Sequence, residues 1–227
     1  MAKVTITTLL ALFFIATLNA QVRDSTRVID TISIQKERFK IRKLYIPVAL
    51  MGTGLAFNSN RPESFKNEIA EERNEHFLHF GTSVDNYLQY SPIAIAYGLD
   101  ALGVKSKTDL ANRTAILLKG GIINAVLVTG LKKASHQLRP DGSNYLSFPS
   151  GHTANAFAAA TFLSEEYKYK YKWMPYAAYS IAGSVGILRM ANNRHYISDV
   201  LVGAGIGILS MKLSYWTHQY KWGKKRH

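Results

Sequence analysis

Six apolar stretches, each separated from the next by a short polar or charged segment, constrain this chain more than any other feature. They run over residues 44–57, 86–104, 114–131, 147–163, 173–188 and 196–211. All are rich in Ala, Leu, Ile and Gly, and none alternates with the two-residue period of a half-buried strand. The pattern predicts an all-α fold, a bundle of six helices with no sheet. The 227 residues suffice for one domain of this kind. No internal repeat or low-complexity tract is visible, and "YKYKYK" at 167–172 is too short to count.

Residues 1–20, "MAKVTITTLLALFFIATLNA", have the layout of a secretory signal peptide or an uncleaved anchor. Lys3 precedes an apolar run, and Ala20 is a small residue before a possible cut. Residues 21–43 are polar and then basic, a tether; 44–217 form the helical domain, and 218–227 a basic tail. A spanning helix needs about 20 mainly apolar residues, and most charge-free runs here are shorter. The loop charges nevertheless alternate. Basic segments at 36–43, 105–113, 168–172 and the tail fall on one side, and the acidic segment at 61–75 on the other. That is the positive-inside pattern of a membrane-embedded bundle with a cytoplasmic start. A cleaved leader would reverse the start, so a soluble periplasmic bundle stays open.

The balance of 28 Lys and Arg against 15 Asp and Glu, net +13, points to anionic partners. Scattered basic residues and the absence of a recognisable nucleic-acid module argue against nucleic acid. The chain has no cysteine, which excludes disulfides and thiolate metal sites.

Three clusters carry the chemistry. In "KKASHQLRP", Lys132 and Arg139 close an apolar stretch, and Pro140 places Arg139 on a turn. In "SFPSGHTANAF", Ser150 is a candidate N-cap and Gly151 permits close backbone approach. Together with the bare amides of a first helical turn they make an anion site. His152 beside them is placed to give a proton to an oxygen held there. In "RMANNRHYISD", Arg189 follows an apolar helix and can fork onto phosphate oxygens. His195 and Asp199, four apart, share a face if a helix starts near 195. The carboxylate would then fix the ring's tautomer and free its other nitrogen to attack.

In this order and spacing the clusters resemble the three-part signature of the type 2 phosphatidic acid phosphatase (PAP2) superfamily. Bacterial class A acid phosphatases and vanadium haloperoxidases share that signature. The resemblance covers roughly residues 85–215, with one departure, Leu188 where the family usually has Ser. It implies His195 as nucleophile forming a phosphohistidine, Asp199 as its orienting carboxylate, and His152 as acid and then base. Lys132, Arg139, Arg189, Ser150 and Gly151 would hold the phosphoryl oxygens. It implies no metal and no cofactor, since three fixed cations can take magnesium's role.

The function expected is a metal-independent phosphatase acting on a lipid phosphate or diphosphate. Phosphatidic acid, phosphatidylglycerol phosphate, undecaprenyl diphosphate and lipid A are all candidate substrates. Its site would face the periplasm from a bacterial-type inner membrane. The alternatives are a soluble periplasmic acid phosphatase and a non-catalytic membrane scaffold; chain length argues against a haloperoxidase. Oligomeric state is not legible. Glu72, Glu75, His76 and His79 have helical spacing and read as a solvated helix face. Gly203 and Gly207 form a GxxxG for close helix approach. Tyr167, Tyr169, Tyr171 and Trp173 read as an interfacial belt or a loop surface, and His136 has no assigned role.

Overall fold

The computed structural model describes residues 40–219. The leader at 1–20, most of the tether at 21–43 and all but the start of the tail at 218–227 lie outside the described residues. A 3₁₀ turn, Ile41–Leu44, leads into α1 (Tyr45–Phe57). There follow α2 (Phe65–His76), α3 (Val84–Leu88), α4 (Ser91–Ala101) and α5 (Leu110–Ser135). The remaining helices are α6 (Gly151–Tyr167), α7 (Met174–Ala191) and α8 (Ile197–Trp216). Among the described residues there is no strand, so the all-α reading holds.

Among the described residues eight α-helices stand where six were expected, for two local reasons. Helix α2 is charged along its length, so a search for apolar stretches passes over it. The second stretch is divided at Gln89 and Tyr90, and Pro92 opens α4 at a position where its missing N–H is no loss. Other starts are set by side chains. Asp109 caps α5 by accepting from the Asn112 amide at 3.1 Å, and Ser150 caps α6 by accepting from Thr153 at 3.4 Å.

Helices α6 and α8 form the centre. α6 packs against α4, α5, α7 and α8, and α8 also against α1 and α5. Small residues allow the approach. A Cβ added at Gly203 would stand 2.6 Å from the Ser150 carbonyl, and one at Gly207 would stand 2.2 Å from that of Ala154. The expected GxxxG contact is therefore the seam between α6 and α8, and it sets the starts of the two helices side by side.

Among the described residues two helices are long and apolar enough to cross a membrane, α5 and α8. Their environments differ. In the most apolar window of α8, 72% is buried, as in the core of any bundle; in that of α5 only 22% is. Leu118, Ile122 and Val126 on α5 are each more than 60% exposed. The belt reading is corrected at Tyr167, which is fully buried with its hydroxyl donating to the Ala96 carbonyl at 2.6 Å. Tyr169 and Trp173 are exposed.

Candidate active site

The site lies where α6 and α8 begin and α5 and α7 end. The Ser150 amide donates to the Asp199 carbonyl at 3.0 Å, which ties the first turn of α6 directly to that of α8. Everything else is arranged about this tie.

Asp199 is fully buried. Its Oδ2 accepts from the Tyr196 amide at 2.9 Å, from the Ser147 hydroxyl at 2.5 Å and from His195 Nδ1 at 3.3 Å. Helix α8 starts at Ile197, so His195 lies outside it. The expected helical i, i+4 face is thus replaced by a cap. Asp199 at the third helical position reaches back across the first turn, and His195 meets it from the preceding segment. Since Nδ1 is turned to the carboxylate, Nε2 is the nitrogen left for other chemistry. Burial lowers the proton affinity of His195, and Lys132 and Arg189 add to this. Together they outweigh the pull of Asp199 and bring the pKa to about 4.

His152, on the first turn of α6, is half-buried, and its Nε2 meets Asn86 Oδ1 at 2.8 Å. An amide oxygen only accepts, so Nε2 carries the hydrogen in this arrangement. Burial and then Arg189 lower this imidazole as well, to about 4. Lys132 and Arg189 act electrostatically on both rings, which puts His152 and His195 around one group of cations.

The cations come from three directions. Lys132, in the last turn of α5, donates to the Leu146 carbonyl at 2.5 Å and to that of Ser147 at 3.3 Å. Arg139 sits on a turn after α5, its carbonyl accepting from the Gly142 amide at 3.0 Å. Arg189 lies inside the last turn of α7, not after the helix as expected, and is buried. Its Nη1 donates to Asp85 Oδ2 at 2.8 Å. The Nε groups of Arg139 and Arg189 are both buried without a hydrogen-bond partner. A donor buried and unmet is costly in a finished core, and two from neighbouring guanidinium groups suit an oxyanion. Gly151 borders Lys132: a Cβ there would meet its Cε at 3.9 Å and Val128 at 3.7 Å.

Sequence reading missed a second layer. Asp85 on α3 bonds Arg189, and Asn192 Nδ2 reaches Asp85 Oδ1 at 3.2 Å. Asn86 holds His152, while Gln89 accepts from Asn155 at 3.1 Å. No motif spacing links these residues to partners so distant in the chain. The weak signal was an adjacent acid and amide at the polar edge of an apolar stretch. Lys66, from α2, is buried and held by Asn58 and Asn60 at 3.0 and 2.9 Å, with its ammonium 5.1 Å from the centre of the Tyr196 ring. A narrow cavity beside His195 is lined by Lys66, Arg73, Pro140 and Tyr196.

Glu72, Glu75 and His76 bring ligand atoms within 4.8 Å of one another, but they are exposed on α2, and His79 is not of their number. His136 ends α5 in the left-handed conformation and stacks on Tyr145 at 4.8 Å.

Two imidazoles, one buried carboxylate and three cations thus lie at one end of an all-α bundle. The family model of the PAP2 superfamily matches residues 131–223, a range that holds all eight expected site residues. The chain is 39% identical over 143 residues to a lipid A 1-phosphatase of Porphyromonas gingivalis. That match covers 60% of this chain and 31% of the relative, so the chain spans about a third of that protein's length. The fold is similar to the first transmembrane PAP2-type phosphatidylglycerolphosphate phosphatase from Bacillus subtilis. The TM-score is 0.55 at 26% identity, covering 75% of this chain and 94% of that one.

Proposed function

We propose that this protein is a metal-independent phosphatase of phosphorylated lipids, working through a phosphohistidine. The observation that carries the reading is the arrangement about Asp199. His195 is held through Nδ1 and is uncharged at neutral pH, beside two guanidinium groups with unmet Nε–H donors.

Lys132, Arg139, Arg189, the Ser150 hydroxyl and the Gly151 amide hold the phosphoryl oxygens and offset the charge that builds there. His195 Nε2 attacks phosphorus, forming a P–N bond as the P–O bond to the lipid breaks. Asp199 stabilises the resulting imidazolium. His152 gives its proton to the departing lipid oxygen. The now neutral His152 takes a proton from water, which attacks the phosphohistidine and releases inorganic phosphate and free His195.

A membrane location is supported by α5, whose apolar face is exposed. At about 1.5 Å per residue its 26 residues reach about 39 Å, more than the hydrocarbon core requires. We place the protein in a bacterial inner membrane with the site facing the periplasm. The lipid A class heads the substrates because the curated relative is named for it, and phosphatidylglycerol phosphate follows from the structural neighbour. The soluble acid phosphatase reading is favoured by the small number of span-length helices, two among the described residues.

The test is phosphate release by purified protein, in EDTA, from lipid A, phosphatidylglycerol phosphate, phosphatidic acid and undecaprenyl diphosphate, against a small aryl phosphate, with His195→Ala as control. A lipid preferred over the small ester supports the reading. Chelator-sensitive turnover, or full activity in His195→Ala, contradicts the mechanism.

A further inference from the structure

A row of three side-chain amides runs from the middle of α5 to the edge of the site. Asn124 Nδ2 donates to Asn155 Oδ1 at 2.8 Å, and Asn155 Nδ2 donates to Gln89 Oε1 at 3.1 Å. Gln89 Nε2 then donates to the Asn86 backbone carbonyl at 2.9 Å. That last partner sets the direction of the whole row. A carbonyl only accepts, so Gln89 turns its NH₂ group to Asn86 and its oxygen to Asn155, and each amide behind it is oriented in turn. The acceptor left over is Asn124 Oδ1, buried and without a hydrogen-bond partner among the described residues.

Such a row is a poor way to stabilise a bundle. Asn124 is 2% exposed and Gln89 4%, and Asn124 lies in the span-length helix α5 beside Ile122, Ile123 and Val126. An amide oxygen unmet there is costly, and an apolar side chain of similar size would remove the cost.

What the row reaches explains its place. Helix α3 has five residues, too few to persist without support, and Val84 and Tyr87 on it are 54% and 78% exposed. Leu88 packs against the core, and the ties from α3 to the site are polar. Asn86 meets His152 at 2.8 Å, and Gln89, which caps α3, meets Asn155. Asn86 and Gln89 are three residues apart, and so are His152 and Asn155 on α6, so each pair shares a helix face. Two rungs therefore join α3 to α6. The first touches a site residue; the second, continued by Asn124, holds the first in register.

We propose that Gln89 and Asn155, oriented by Asn124, are positioning residues for His152: they fix α3 on α6 so that Asn86 keeps the His152 hydrogen on Nε2 and the ring at one angle. The functional consequence rests on the acid role given to His152 above, so the test reads the ring directly as well as turnover. The full chain, labelled with ¹⁵N-histidine, is reconstituted in phosphatidylcholine liposomes, and imidazole signals are recorded by solid-state NMR at neutral pH. His152→Gln identifies the signal, and kcat is measured on lipid A. Wild type is expected to show a neutral ring protonated at Nε2. Asn155→Leu is expected to mix the two tautomers, as Asn86→Ala does, and to lower kcat about fivefold. Asn86→Ala/Asn155→Leu is expected to lose no more than Asn86→Ala alone, because one acts through the other.

A wild-type His152 signal in Asn155→Leu overturns the proposal, and a lowered Tm with that signal would make the row structural only. Losses of kcat that multiply in the double variant, to about fiftyfold, also overturn it. If Asn155→Leu does not fold, Gln89→Leu decides by the same readouts. The NMR arm needs no substrate, so an inactive protein whose ring responds to Asn155→Leu would count against the phosphatase reading alone.

Discussion

Asp199 accepts from Ser147, His195 and the Tyr196 amide through one oxygen, so Ser147 and the Tyr196 amide fix the carboxylate that orients His195. Both site imidazoles sit at about 4 before substrate arrives. Attack by His195 needs its neutral form, whereas the acid role of His152 needs its charged form. We therefore expect kcat/KM, which reports the free enzyme, to fall as pH rises from about 5 to 8. The kcat profile is expected to lie at higher pH, because bound phosphate charge raises both rings. The same depression makes the unfolded chain bind protons that the folded one refuses. The stability due to these rings is complete above about pH 6.5 and is lost as pH falls toward 4, which denaturant titrations at several pH values would measure. Asn86→Ala removes one hydrogen bond to His152; kcat is expected to drop about tenfold and the His152 limb of the profile to move, while the His195 limb stays. The eight motif residues were legible because their chemistry comes in compact, spaced clusters. Asp85 and Asn86 were not, because their importance arises only when α3 is carried against α7 and α6.

At the scale of elements, the seam between α6 and α8 determines whether the two histidines share a site. Gly207→Ala would put a methyl 2.2 Å from the Ala154 carbonyl, and backbone cannot yield cheaply. We expect a loss of about 1–3 kcal/mol in denaturant unfolding. Gly151→Ala meets only ordinary contacts with Val128 and Lys132, so it is expected to fold with an unchanged Tm. If the bare first turn holds phosphate, KM rises in that variant; an unchanged KM would remove Gly151 from the site. Each of the six apolar stretches did become helix. What sequence patterning could not supply was α2, whose stability as a helix does not depend on an apolar face, and the break at Tyr90. The start of α8 two residues after His195 escaped as well, because a cap made by Asp199 leaves no trace in hydrophobic periodicity.

For the whole molecule, the sequence could not say which of two comparably apolar helices faces lipid, since burial is decided by the neighbours. The structure separates them: α8 is enclosed by α1, α5 and α6, and α5 is open along one side. We expect the protein to stay with the membrane pellet after alkaline carbonate washing; recovery in an osmotic-shock supernatant would favour the soluble alternative. The central claim, that α6 and α8 bring two imidazoles to one phosphoryl group, is tested most directly by rapid quenching with ³²P-labelled lipid phosphate. The account expects acid-labile, base-stable label on the peptide containing His195, and none in His195→Ala. Turnover by the wild type without such label, or label that survives in His195→Ala, would contradict it.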